Sequence, residues 1–238
     1  MSKQVSNGLE VEEGRTYLRT GHKDGRLSFI SPASGPNTYA QVGNQILEAK
    51  LELPTMEQTA SLVHVAWQNP EEKYSKDIIN KLKNSWLWAF NGLLYIPQVG
   101  VYIQDRPKIE GGKAVMDRSE LVKKLEANDP SVRFVPFGFK REYQTAMELE
   151  KNHFVQALAG EEGAEKLAEI GDKYKKHPYV YAFDSNDINE PTIRVAALGS
   201  GWDFGVRLDV VGFNRSDGRG GYAFGVSRKE TGEAGSKK

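Results

Sequence analysis

The sequence contains no cysteine. That removes disulfides, thiolate nucleophiles, iron–sulfur clusters and cysteine-based zinc sites together, and it fits a reducing, cytoplasmic compartment. Histidine is scarce. His22, His64, His153 and His177 fall on separate predicted elements, so no multi-histidine metal site can be read from local spacing. Net charge is missing as well, since 32 Lys and Arg residues balance 32 Asp and Glu. Such a balance exerts no overall pull toward nucleic acid, an anionic membrane or a basic partner. The longest apolar run, Trp86 to Ile96, is eleven residues and is interrupted by Asn91 and Gly92, against the ~20 that a spanning helix needs. Residues 1–15 are polar and lack the apolar core of a signal peptide. There is no G-x-S-x-G elbow, no phosphate-binding G-x-x-x-x-G-K-[ST] loop, no H-E-x-x-H and no kinase motif set. These absences predict a soluble protein without membrane contact, and no motif names a cofactor or a metal.

What is present is enough chain for a sizeable core: 238 residues, 39% of them hydrophobic. Residues 1–14 and 229–238 are small, polar and glycine-containing, and are expected to be disordered tails. Residues 15–228 are expected to form one α+β unit. A break near 106–114 (RPKIEGGKA) is where two lobes would divide.

Helices are expected across about 37–90 and 117–176. A hairpin is predicted over 16–30, turning at His22–Gly25, where Asp24-Gly25 supplies the positive φ of a tight turn. Asn37 or Thr38 caps a helix to about Lys50. Thr55-x-x-Gln58 is a capping box opening a helix to about Gln68, with Met56, Ala60, Val63 and Trp67 on one face. Asn69-Pro70 stops it. A third helix is predicted from Glu72 to Phe90, with Ile78, Leu82 and Trp86 on its apolar stripe. A second hairpin follows over 93–105. A short helix is predicted over 117–127, an edge strand over 132–137, and helices over 141–159 and 163–176. The last part, 179–228, is a group of strands: 179–183, 192–198, 204–213 and 222–228. The absence of regular βαβα alternation favours α+β segregation with mainly antiparallel strands.

Few residues suggest chemistry. On a helix over 141–159, Glu150 falls within the stripe of Tyr143, Ala146, Met147, Phe154, Ala157 and Leu158, with His153 on its flank. A carboxylate on a buried stripe needs a partner, a metal or a proton. Glu150 and His153 are therefore the candidate catalytic pair, for acid–base or metal-assisted hydrolysis. The plainer alternative is a structural ion pair beside an ordinary histidine. Trp88 lies opposite the Ile78/Leu82/Trp86 stripe of its predicted helix, so either that helix is buried on two sides or the Trp86/Trp88 region contacts a protein or a second copy of the chain.

Gly199 to Gly205 is glycine-rich and follows an apolar strand, but a strand and not a helix comes next. The reading there is a tight connection with Trp202 covering the core or marking a binding surface. The 214–222 segment, predicted as a hairpin tip, carries Arg215 and Arg219 beside Tyr222 and suits a nucleic-acid contact. From 200 to 238, however, seven basic residues are diluted by five acidic ones. The sequence thus predicts a non-enzymatic binding or assembly protein contacting protein or nucleic acid. The alternative is a hydrolytic enzyme built on Glu150 and His153.

Overall fold

The computed structural model describes residues 16–22, 25–200 and 205–227. The expected tails, Asp24 of the first turn, and Trp202 lie outside the described residues. Strands β1 (Thr16–His22) and β2 (Gly25–Ser31) form the expected antiparallel hairpin. Strand β3 (Ser34–Asn37) leads into helix α1 (Tyr39–Glu48). Thr38 caps α1 from an extended backbone, its hydroxyl accepting the Gln41 N–H. Helix α2 (Met56–Gln68) starts at the Thr55–Gln58 capping box, with both reciprocal hydrogen bonds made. Met56, Ala60 and Val63 are fully buried on its inner face.

Helix α3 (Lys73–Asn84) is shorter than its sequence predicts, because Trp86 to Phe90 are extended, not helical. They open strand β4 (Trp86–Ile96), which turns at 97–99 into β5 (Gly100–Asp105). The reason is burial on both faces. Leu87, Ala89, Leu93 and Tyr95 join a large core with α2 and α3, whereas Trp88 and Phe90 pack against Tyr39, Val42 and Ile46 of α1. A strand apolar on both sides shows no period-2 signal and cannot be told from helix by spacing.

Strands β6 (Lys108–Glu110) and β7 (Lys113–Val115) form a small hairpin that takes up most of the 106–114 stretch and ends one residue beyond it, and Ile109 and Ala114 pack against the α1-side core. Helix α4 (Arg118–Glu126), capped by Asp117, covers Leu94, Ile96 and Tyr102. Among the described residues strand β8 (Val132–Pro136) pairs only with β5, so the proline sits in an edge strand as expected.

The helix predicted over 141–159 is interrupted. Strand β9 (Glu142–Tyr143) precedes a five-residue helix α5 (Ala146–Glu150). Asn152 then caps α6 (His153–Gly171), accepting from the N–H groups of Phe154 and Val155. Helix α6 itself breaks at Gly160, whose φ of 73° suits glycine. Strands β10 (Tyr179–Tyr181), β11 (Thr192–Gly199), β12 (Asp209–Asn214) and β13 (Gly221–Ala223) complete the chain.

The main sheet has the order β3-β13-β4-β11-β12-β10-β9, with β5 and then β8 beside the second half of β4. Most pairs are antiparallel; β10–β12 and β4–β13 are parallel. The α+β prediction therefore holds. The predicted hairpin at 214–222 does not, because β11 and β4 separate β12 from β13. Residues 215–220 form a crossover instead.

Where β4 changes neighbours from β13 to β5, Asn91 is fully buried and bonded at both ends of its amide. Its Oδ1 accepts the Met56 N–H at 2.7 Å, and its Nδ2 donates to Asp105 at 2.6 Å. Arg133 grips both oxygens of Asp105 and donates to the Ala157 carbonyl. This network ties α2, β4, β5, β8 and α6 together, and it leaves few polar groups there to be desolvated without a partner.

Candidate functional site

One face of the sheet is covered by α2, α3 and α6. Among the described residues the other is covered in part, by the ten-residue α1, the β6–β7 hairpin and α4. Beyond α1 the side chains of β4, β11 and β12 meet the 215–220 crossover, and a cleft of about 820 Å³ opens between them. That size suits a small-molecule site.

Each wall has a local cause. Trp86 and Trp88 alternate onto this face from β4, and Val211 and Phe213 from β12. Phe183 follows β10, with its ring 5.7 Å from Phe213 in a stacked arrangement. Arg194 rises from β11 and places its guanidinium 5.2 Å from the Phe183 ring. Arg215 and Asp217 stand at the rim, 3.5 Å apart and exposed. The crossover is held close to the sheet: Ser85 Oγ donates to the Gly220 carbonyl, and a Cβ on Gly221 would fall 2.2 Å from Trp88 Nε1 and 2.4 Å from Trp86 Nε1. Burial, and then the Arg215 charge, push the Arg194 pKa below the ordinary arginine value.

A row of aromatic rings leads from the cleft to the sheet edge. Phe213 lies 5.4 Å from Tyr181, Tyr181 lies 4.2 Å from Tyr179, and Tyr179 lies 4.9 Å from Tyr143. Arg207 anchors the row. It donates to Asp209 at 2.7 Å, to Tyr143 at 2.9 Å and to Tyr181 at 2.5 Å. Its guanidinium also lies 4.5 Å from the Tyr179 ring. Burial opposes the Arg207 charge, but the bonded Asp209 carboxylate holds its pKa above the usual arginine value. Burial first, then Asp209, raises the Tyr181 phenol.

The residues singled out by sequence meet this site unevenly. Glu150 ends α5 and His153 begins α6, and both are exposed. The buried stripe that motivated the pair is absent, because the chain is extended at 142–143 and capped at 152. Among the described residues no cluster of three or more His, Asp or Glu forms a metal site. Trp88 does reach the cleft, but as a strand residue only 1% exposed, its Nε1 donating to the Asn37 carbonyl. It is a wall of the fold and not an exposed contact. Arg215 lines the cleft, whereas exposed Arg219 does not.

Sequence reasoning passed over Arg194, Phe183, Phe213 and the tyrosine row. A legible signal existed for Arg194, a cation inside the apolar strand T-I-R-V-A-A-L. None existed for the others, whose convergence depends on strand order.

No protein-family model matches the sequence, and no curated protein matches it. The chain is similar in fold to a solved structure described in work on the accommodation of massive sequence variation in Nanoarchaeota by the C-type lectin fold. The TM-score is 0.53 at 16% identity, covering 81% of this chain and 94% of that one. The likeness is one of fold alone, and the architecture of this chain, like that neighbour's, is α+β. Among the described residues no helix is long and apolar enough to cross a membrane.

Proposed function

We propose that this is a non-enzymatic binding protein whose ligand seats in the cleft beneath the 215–220 crossover. The observation that supports the reading is the make-up of that cleft. Its walls carry Trp86, Trp88, Phe183, Val211 and Phe213 on a sheet, with polar and charged groups interspersed, as recognition sites are built. Among the described residues the only acid lining it, Asp217, is exposed and paired with Arg215, and no acid–base pair of theirs faces the space. The C-type lectin kind of fold is a scaffold on which function resides in the site.

The test is a screen of small aromatic compounds read by thermal shift and by tryptophan emission, since Trp86 and Trp88 line the cleft. A binder is expected to raise Tm and to change the emission. Phe213→Ala is expected to weaken that binder about tenfold, the equivalent of about 1.4 kcal/mol of lost ring contact. A library in which no compound moves either signal would overturn the reading.

One observation favours a second reading, a protein or a second copy of the chain seated on the same face. Tyr143, 51% exposed, carries the aromatic row to the sheet edge, and tyrosine and arginine are enriched in such contacts. Gel filtration across concentrations tests it; a monomer at every concentration excludes the second copy. A nucleic-acid contact has less support, because Asp217 offsets Arg215 and the crossover is not the projecting hairpin that the contact required.

A further inference from the structure

Arg194 differs from the other inward-reaching arginines. Arg133 holds Asp105, Arg141 holds Asp184 and Asp187, and Arg207 holds Asp209. Half-buried Arg194 has no carboxylate within ion-pair distance among the described residues. One of its nitrogens donates to the carbonyl of Ile193 at 2.8 Å, and its face lies over Phe183. A guanidinium carries five N–H donors in a planar fork, so most of its donors are left for something else. A half-buried charge without a partner is costly. Among the described residues the other charges lining the cleft are Arg215 and the Asp217 that Arg215 already engages, which leaves one positive charge of theirs uncompensated. The stacked Phe183 and Phe213 add flat apolar surface beside it, and Trp86 lines the far part of the cleft, opposite Gly199.

We propose that the cleft takes a planar aromatic anion, its ring laid against Phe213 and its carboxylate or sulfonate received by the guanidinium fork of Arg194. The inference rests on the binding reading above and adds the ligand's chemical class. The fork matches a carboxylate or sulfonate bidentately. The aromatic walls remove the ring from water, and Arg215 adds attraction at the entrance that salt screens.

The experiment compares two fluorescent probes of similar shape on the folded chain, the anionic anilinonaphthalene sulfonate and the neutral N-phenylnaphthylamine. Wild type is expected to bind the anion at least about tenfold more tightly, as charge-assisted bonding implies, with the difference shrinking in high salt. Arg194→Met keeps the apolar stem. It is expected to remove that preference, to leave neutral-probe affinity unchanged, and to leave Tm unchanged or higher, since an uncompensated charge is deleted. Arg194→Lys is expected to restore part of the preference. Phe213→Ala is expected to weaken both probes. Equal affinity of wild type for the two probes, or anion binding unaltered in Arg194→Met, overturns the anionic class while the binding reading stands. Failure of both probes to bind wild type overturns both.

Discussion

Gly221 is the residue on which the candidate site turns most directly. It begins β13 and lies against the indole nitrogens of both Trp86 and Trp88 at distances no Cβ tolerates. Gly221→Ala forces either the rings or the crossover to move. It is expected to cost about 1–3 kcal/mol in denaturant unfolding, as over-packing does, and to alter the near-ultraviolet circular dichroism of the tryptophans. An unchanged spectrum and midpoint would show that the packing there is looser than described. At this scale the sequence was partly legible. Trp88 stands out in the sequence as a large apolar residue off the predicted stripe, and it is deeply buried. Arg194 stood in plain view inside an apolar strand. Glu150 misled, because the helical wheel placing it inward assumed nineteen unbroken helical residues. The chain stops the helix at Asn152, a side chain that prefers to bond to backbone.

Among the elements, α5 shows how a short local signal outweighs a longer periodic one. Thr145 and Glu148 form a second capping box, with the same spacing as Thr55 and Gln58. Lys140 donates to Glu148 at 2.6 Å. The Lys140 bond first, and then the Thr145 N–H, lower the Glu148 pKa to about 2. An unfolded glutamate titrates near 4.5, so between these values the unfolded chain binds the extra proton. The contribution is fully present above the unfolded value and is lost as pH falls toward 2. A carboxyl titration by nuclear magnetic resonance is expected to place Glu148 well below the other exposed glutamates. Glu148→Gln, which keeps a capping side chain, is expected to flatten this part of the acid limb of stability. A Glu148 midpoint near 4.5 would contradict the assignment. Helices α1, α2 and α4 were legible because each has a capping residue and one apolar stripe. Strand β4 was not, because its two apolar faces erase the alternation that marks a strand.

For the whole molecule, stability is expected to be greatest where neighbours are most numerous. Strands β4 and β11 lie inside the sheet, flanked on both sides by paired strands. Their amides are expected to exchange most slowly with solvent, near the global unfolding limit, whereas β9 at the edge and the β6–β7 hairpin exchange through local opening. Slow exchange in β6–β7 with fast exchange in β11 would contradict this. The crossover between β12 and β13 also belongs to this scale. Its glycines and polar residues marked a turn, but nothing local reveals that β11 and β4 lie between the strands it joins.

Cap chemistry, the apolar stripes of α1 and α2, the edge position of Pro136 and the α+β class follow from residues within a few positions of one another. Spacing determines which side chains share a surface, so the sequence alone decided these features. The order of strands, the setting of Arg194 over Phe183, the aromatic row from Phe183 to Tyr143 and the cleft under 215–220 were decided only by the tertiary structure. They join residues up to more than a hundred positions apart, and such pairings depend on which strand lies beside which, a choice made by long-range packing that leaves no local periodicity to read.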